Sequence, residues 1–320
     1  VMLATDLYSF AEEGYIIPVQ SFIDNMENGE DYINDFFPAL LANSVDEDGN
    51  VWSIPFQRST PILYYNADLL TEAGYDSPPT NNAELVEIAQ ALTTEDRDGI
   101  QIPVAGGFPI WMYQSFAIAY GQNIVNDDPT QVIFNSPEAV EAVEFLRSIG
   151  TDLGVGPAGG SAWGDTPVAF LAGQSAMMYH TTGNLTRVLN DADFEVGVGY
   201  LPSGPAGEDG TGYGSPTGGG NLYIFDDGSR SEAELDAIWK WVTFLSSPEI
   251  QADWGATTGY IASNATAWET EPLASLAEEF PQYLTARDQL EFADKEFTSY
   301  GAITIQGIIN GTLESILTGT

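Results

Sequence analysis

IPFQRSTPILYYNADLLTEAG, residues 54–74, decides how this chain is read. A proline-marked turn opens it, the polar trio Arg58, Ser59 and Thr60 follows, and the apolar run PILYYN comes next. That run has the length and residue types of a strand, and the residues from Ala67 begin a helix. The chain has only eight lysines and arginines among 320 residues. An arginine placed just before a buried strand therefore asks for a reason.

Outward from this stretch the pattern alternates helix and strand. DYINDFFPALLANSV (31–45) has helical spacing and ends in the polar turn DEDGN. NNAELVEIAQALT (81–93) is an amphipathic helix with Thr80 as its expected N-cap. In SPEAVEAVEFLRSIG (136–150) Ser136 caps, Pro137 takes the first helical position and Gly150 ends the helix. Residues 229–259 read as two helices broken near Ser247–Pro248. The strands are short: PILYYN, SAMMYH, FEVGVGYLP and NLYIFD. Gly- and Pro-rich loops occupy 153–164 and 202–220, and the second divides the chain. Helices alternating with short strands imply α/β layers, and the length suits two domains.

Forty-seven acidic residues against eight basic ones give a formal net charge of −39. Such a surface repels nucleic acid and anionic lipid. Aromatics make up 12% of the chain and the acids are spread along it, which argues against disorder or an acidic tail. The reading left is a folded protein adapted to very high salt, where a Debye length of about 3 Å near 1 M screens self-repulsion. Cysteine is absent, excluding disulfides, thiolate metal sites and thiol nucleophiles. No run of apolar residues is long enough to span a membrane. The opening VMLATDLYSF reads as the interior of a fold, so a preceding segment is expected.

Motifs for catalysis or metals are weak. VDEDGN (45–50) and TEDRDGIQ (94–101) resemble the start of calcium loops, but neither has the correctly spaced glutamate. His180 is the one histidine, without a G-x-S-x-G serine or a second histidine to make a triad or zinc site, and reads as an ordinary strand-end residue. P-loop and dinucleotide-binding glycine patterns are missing; TGGGN (217–221) reads as a turn. No metal or cofactor is expected. Three sequons, at Asn184, Asn264 and Asn310, fit glycosylation outside the cell. The aromatics say more. Phe108, Trp111 and Tyr113 cluster in GGFPIWMYQSF, Trp163 lies in GGSAWGD, Tyr260 follows Gly259, and Tyr300 lies in FTSYGA. Rings beside glycines on loops, with hydroxyls and amides nearby, make a wall for a polyol.

Several segments together resemble extracellular solute-binding proteins, family 1, of ABC importers, including their glycerol-3-phosphate-binding and sugar- or maltose-binding branches. They are 54–93, GGFPIWMYQSFAIAYGQNIV (106–125), VAFLAGQSAMMYHTTGNL (168–185), GYLPSGPAG (199–207) with TGGGNLYIF (217–225), WKWVTFLSSPEIQADWGATTGYIASN (239–264) and LESILTGT (313–320). The resemblance spans essentially the whole chain. It implies an α/β, two-lobed, periplasmic-binding-protein-like fold of type II, monomeric, closing on a ligand at hinge crossings. The lobes would be 1–60 with 221–270, and 61–220 with 271–320. It also implies a missing leader and first strands, a missing final helix, and an extracellular, lipid-anchored location beside permease subunits. Carried over by position, it implies ligand contacts at Asp6, Arg58, Ser59, Trp111, Thr182, Gly183, Gly218, Gly219, Asn221 and Tyr260. Arg58, Ser59 and Thr60 would face the cleft and not the core. Gln306 stands where glycerol-3-phosphate binders carry a phosphate-holding arginine, so a sugar or polyol is expected ahead of a glycerol phosphate or glycerophosphodiester. The contrasting expectation is a secreted glycosidase, which needs a carboxylate pair beside the aromatic wall.

Overall fold

In the computed structural model, which describes residues 1–126, 128–205 and 214–319, the stretch quoted above becomes two strands, Ser53–Ser59 and Pro61–Asn66, separated by Thr60 alone. The strands belong to different sheets, so the chain passes from one lobe to the other within one residue.

The second sheet runs in the order Asp98–Gln101, Ser175–Thr181, Pro61–Asn66, Val196–Gly199. Its first pair is parallel and the others antiparallel. Ile62, Tyr64 and Met178 pack on one face against Phe170, Leu185, Val188 and Leu273. Leu63, Met177 and Tyr179 pack on the other against Leu85, Ile88, Phe116 and Leu146. Both faces are covered, which is why PILYY reads as a continuous apolar run and not as an alternation. In the first sheet Gly218–Phe225 pairs antiparallel with Ser53–Ser59, Met2–Leu3 and Ile16–Ile17. Its core holds Ile54, Phe56, Leu222, Ile224, Trp239 and Val242. TGGGN therefore enters a central strand and is not a turn.

Most helices form where their signals place them. Pro137–Gly150 is capped by Ser136, whose side chain accepts from Ala139 N. Glu232–Leu245 and Pro248–Thr258 are separated at Ser246–Ser247, the first entered through a reciprocal Ser231–Glu234 capping box. Two readings change. Asn82–Leu92 is capped by Asn81, while Thr80 donates both its N–H and hydroxyl to the Glu84 carboxylate. The span 31–45 is not one helix: Gly29–Asn34 ends and Pro38–Leu41 restarts, because Pro38 cannot donate to a continuing ladder.

The crossings between lobes are tied together. Ser215–Pro216 and Ala293–Asp294 pair in parallel, and Thr217 N donates to the Asp294 carbonyl. Fully buried Gln289 donates to the Pro61 carbonyl at 2.7 Å and to Thr60 Oγ1 at 3.1 Å, and accepts from Leu201 N at 2.9 Å. One side chain thus fixes the first crossing against the loop that leads to the second.

Candidate functional site

A cleft of about 500 Å³ lies between the lobes. One wall comes from Leu3, Asp6, Gln57, Ser59, Gly219 and Gly220, the other from Phe108, Trp111, Trp163, Thr181, Gly183 and Asn184, with Tyr260 and Glu296 between. Most of these positions sit at strand ends or just past them, where a layered α/β fold leaves its backbone turning toward the gap.

The rings are seated on glycines across space. A Cβ on Gly218 would lie 2.6 Å from the Trp111 ring, one on Gly107 2.8 Å from Trp163 Cβ, and one on Gly183 2.7 Å from the Tyr260 ring. Each aromatic side chain occupies the space where a glycine lacks one, so glycine and aromatic are matched although far apart in sequence. Trp111 is only 5% exposed and its indole donates to the Thr217 carbonyl at 2.8 Å. Phe108, at 42% exposed, and half-buried Trp163 make an edge-to-face pair at 5.3 Å in front of it. The aromatic wall is therefore Phe108, Trp163 and Tyr260, backed by Trp111. Trp111 and Tyr113 are not on a loop as the sequence suggested. Both lie on Pro109–Ala119, a helix apolar nearly all round and correspondingly buried. Tyr300 packs on Tyr8 at 4.9 Å, away from the cleft lining.

Arg58 answers the opening question differently from the resemblance. It is 0% exposed and faces the protein, donating to Thr217 Oγ1 at 3.0 Å and weakly to the Gly219 carbonyl at 3.5 Å. The period-2 geometry of its strand explains this: Gln57 and Ser59 turn to the cleft, and Arg58 between them turns inward. Thr182 is likewise fully buried, its hydroxyl accepting from Thr60 N at 3.4 Å. Gly218 is buried beneath Trp111. Asn221 donates to Ser44 Oγ and Ser53 Oγ inside the first lobe. Gln306 lies on Ala302–Thr318 and does not line the cleft. Of the eleven positions named from sequence, Asp6, Ser59, Trp111, Gly183, Gly219 and Tyr260 converge on the cleft.

Glu296 is a cleft residue that carries no sequence signal, being one acid among 47. Asn43 grips its peptide from both sides, donating to the Glu296 carbonyl at 2.9 Å and accepting its N–H at 3.0 Å. Its Oε2 is buried without a hydrogen-bond partner. Burial pushes the carboxyl up to about 8, against the pull of Arg58 and with a further push from Asp6. Burial also raises Asp6, opposed by a hydrogen bond from Leu3. A carboxyl raised in the folded state supports folding fully below its unfolded pKa and loses that support as pH rises through about 8. Glu296→Gln should therefore be more stable than wild type at pH 9, by up to about 5 kcal/mol, with the gap closing toward pH 5. Denaturant unfolding at both pH values checks this; a pH-independent difference contradicts it.

Other sequence motifs resolve as structure. Asp46, in the first calcium-like loop, accepts from Asp48 N, Asn50 N and the Trp52 indole and closes its own turn. The sequon asparagines are engaged: Asn264 is 2% exposed and donates to the Ser246 carbonyl, Asn310 accepts from Ile110 N, and Asn184 lines the cleft.

Two α/β lobes, the crossings between them and a ring-walled cleft make a fold of the periplasmic-binding type. A family model for bacterial extracellular solute-binding proteins matches residues 1–282, and the chain belongs to that family. It is 26% identical over 300 residues to the sn-glycerol-3-phosphate-binding periplasmic protein UgpB of Pectobacterium atrosepticum, covering 89% of this chain and 66% of that protein. The match to UgpB of Yersinia enterocolitica is 28% over 244 residues, covering 73% and 54%. The chain thus spans just under two thirds, or about half, of these relatives' lengths. Among solved structures, maltose-bound MalE3 of T. maritima superposes with a TM-score of 0.83 at 21% identity, covering 99% of this chain and 78% of that one. UgpB from Mycobacterium tuberculosis in complex with glycerophosphocholine superposes at 0.81 and 23%, covering 98% and 77%.

Proposed function

We propose that this chain captures a small, uncharged, hydroxyl-rich ligand outside the cell and delivers it to an ABC permease, with no bond made or broken. The observation that carries this reading is the lining of the cleft: four aromatic residues, hydroxyl and amide groups, two carboxyls, and no lysine or arginine side chain among the described residues. Flat rings cover sugar C–H faces while hydroxyls find acceptors around them. A phosphate monoester would meet Asp6 and Glu296 without a cation, because Arg58 is turned away and held by Thr217. Ligand would act by favouring the closed arrangement of the lobes over the open one. The division carried with this reading is 1–60 with 221–270, and 61–220 with 271–320. Core membership supports moving Gly218–Gly220 to the first lobe, and Ala252, Ala262 and Ala267 to the second.

A second reading rests on the same carboxyls. Asp6 and Glu296 line the cleft with Trp163 and Tyr260, and a quaternary ammonium there would draw the raised Glu296 carboxyl into its ionised form; the structurally similar M. tuberculosis protein is complexed with glycerophosphocholine. A glycosidase would also use two carboxyls, set about 5–10 Å apart across the bond it cleaves, and these two share one cleft. Titration calorimetry at molar salt with maltose, D-tagatose and glycerophosphocholine, with products assayed afterwards, separates the three readings. Binding without turnover of a neutral sugar supports the first, and turnover overturns it. Trp163→Ala should weaken sugar binding by about 1–3 kcal/mol, the scale of uncovering one large ring. Unchanged affinity removes that ring from the site.

A further inference from the structure

The lone histidine, read from sequence as an ordinary strand-end residue, sits directly behind two cleft residues. His180 lies near the end of Ser175–Thr181 and is 0% exposed. Its ring centroid is 4.3 Å from that of Trp163. Nε2 lies 3.0 Å from the Trp163 carbonyl oxygen, and Nδ1 lies 2.8 Å from Asn184 Nδ2.

Donor and acceptor chemistry fixes the rest. A carbonyl oxygen only accepts, so Nε2 must carry the proton that it donates to Trp163. In a neutral imidazole the other nitrogen is then a lone pair, and Nδ1 must accept. The ring is neutral on environment: burial takes its pKa down to about 4, opposed by the bond to the Trp163 carbonyl and helped by a smaller push from Arg187. Nδ1 therefore requires an N–H from Asn184, which commits the amide nitrogen to the histidine. The carbonyl oxygen of Asn184 is not engaged by the histidine, and Asn184 itself lines the cleft.

We propose that His180 is a positioning residue that orients Asn184 so that its Oδ1 accepts a hydroxyl of the bound ligand, making Asn184 a specificity-determining contact. This deepens the polyol reading and rests on it for the identity of the donor, while the orientation itself is a property of the free protein. A single buried ring thus sets two cleft features together: the seating of the Trp163 backbone and the polarity of Asn184. An unheld asparagine presents either its nitrogen or its oxygen, and accepts or donates accordingly. One held by a neutral Nδ1 presents only an acceptor.

The test uses the fact that this chain has one histidine. Nitrogen-15 shifts of His180 in ligand-free protein at molar salt should show the Nε2–H tautomer at neutral pH; the Nδ1–H form overturns the proposal. Asn184→Asp cannot donate, so a proton is drawn to Nδ1 and the His180 titration should move up by at least one pH unit. Maltose, D-tagatose and glycerophosphocholine then serve as ligand probes. Asn184→Asp, which keeps an acceptor oxygen, should retain affinity for the probe bound by wild type within about threefold. Asn184→Leu should lose tenfold or more, with its melting temperature recorded to exclude unfolding. Equal losses in both variants, or none in Asn184→Leu, overturn the ligand contact. If wild type binds none of the probes, the polyol reading falls and the ligand contact with it, while the nitrogen shifts still decide the orientation.

Discussion

Moving this protein from molar salt to about 10 mM is expected to unfold it, because the Debye length grows from about 3 Å to about 30 Å and the surface acids begin to repel one another across the whole molecule. The formal net charge is −39, and little in the fold offsets it. Among the described residues three ion pairs form, Arg187–Asp191, Arg230–Asp226 and Arg287–Asp288, each local in sequence and with at least one partner well exposed. Pairs of that kind contribute about 0–1 kcal/mol each. A total stability of about 5–15 kcal/mol is small against unscreened repulsion of this size. Circular dichroism and tryptophan emission followed through stepwise dilution measure the transition. Sodium and potassium chloride should protect alike at equal ionic strength if screening is the cause. A fold that persists unchanged in dilute buffer contradicts the high-salt reading of the composition.

What the sequence revealed and what it hid follow from the range of the interactions. The strand PILYYN and the helix capped by Ser136 are local events, set by burial on both faces and by one hydroxyl, and both stand where their residues place them. The helical span 31–45 fails for a local reason as well, since Pro38 interrupts it. The cleft was legible through rings next to glycines, but the partners were not those adjacent in sequence. Trp111 sits on Gly218 and Tyr260 on Gly183, contacts that only the folded chain creates. Arg58 shows the limit of reasoning by resemblance. Position alone suggested the cleft edge, while the alternation of a strand turns its neighbours Gln57 and Ser59 outward and leaves the guanidinium inside. Glu296 and Asn184 were hidden because nothing about an acid in an acidic chain, or an asparagine in a sequon, says which way it faces.

Replacing Gly219 with alanine is expected to cost about 3 kcal/mol or more, the other large effect. The residue has φ +97°, a conformation that side chains rarely adopt, and its missing Cβ points at the Gln57 carbonyl oxygen of the paired strand. Backbone strain of this kind costs about 1–3 kcal/mol, and forcing apart packed atoms a further 1–3 kcal/mol or so. Gly228→Ala separates the two contributions, because Gly228 has φ +83° and a Cβ added there would meet nothing within 4 Å. That variant should show the strain alone, about 1 kcal/mol. If the two variants unfold at the same denaturant concentration, the strand contact is not what demands glycine at 219. The position also matters to the cleft. Gly219 pairs with Arg58 in the register that follows the bulge between Pro55 and Gln57, and Thr217, two residues earlier, holds both the Arg58 guanidinium and the Trp111 indole. A strand pushed away at 219 shifts Thr217, and with it the tryptophan behind the aromatic wall. Under screening salt, Gly219→Ala protein that remains folded should therefore bind a sugar less tightly than Gly228→Ala, and equal affinities would show that the crossing can yield without disturbing the wall.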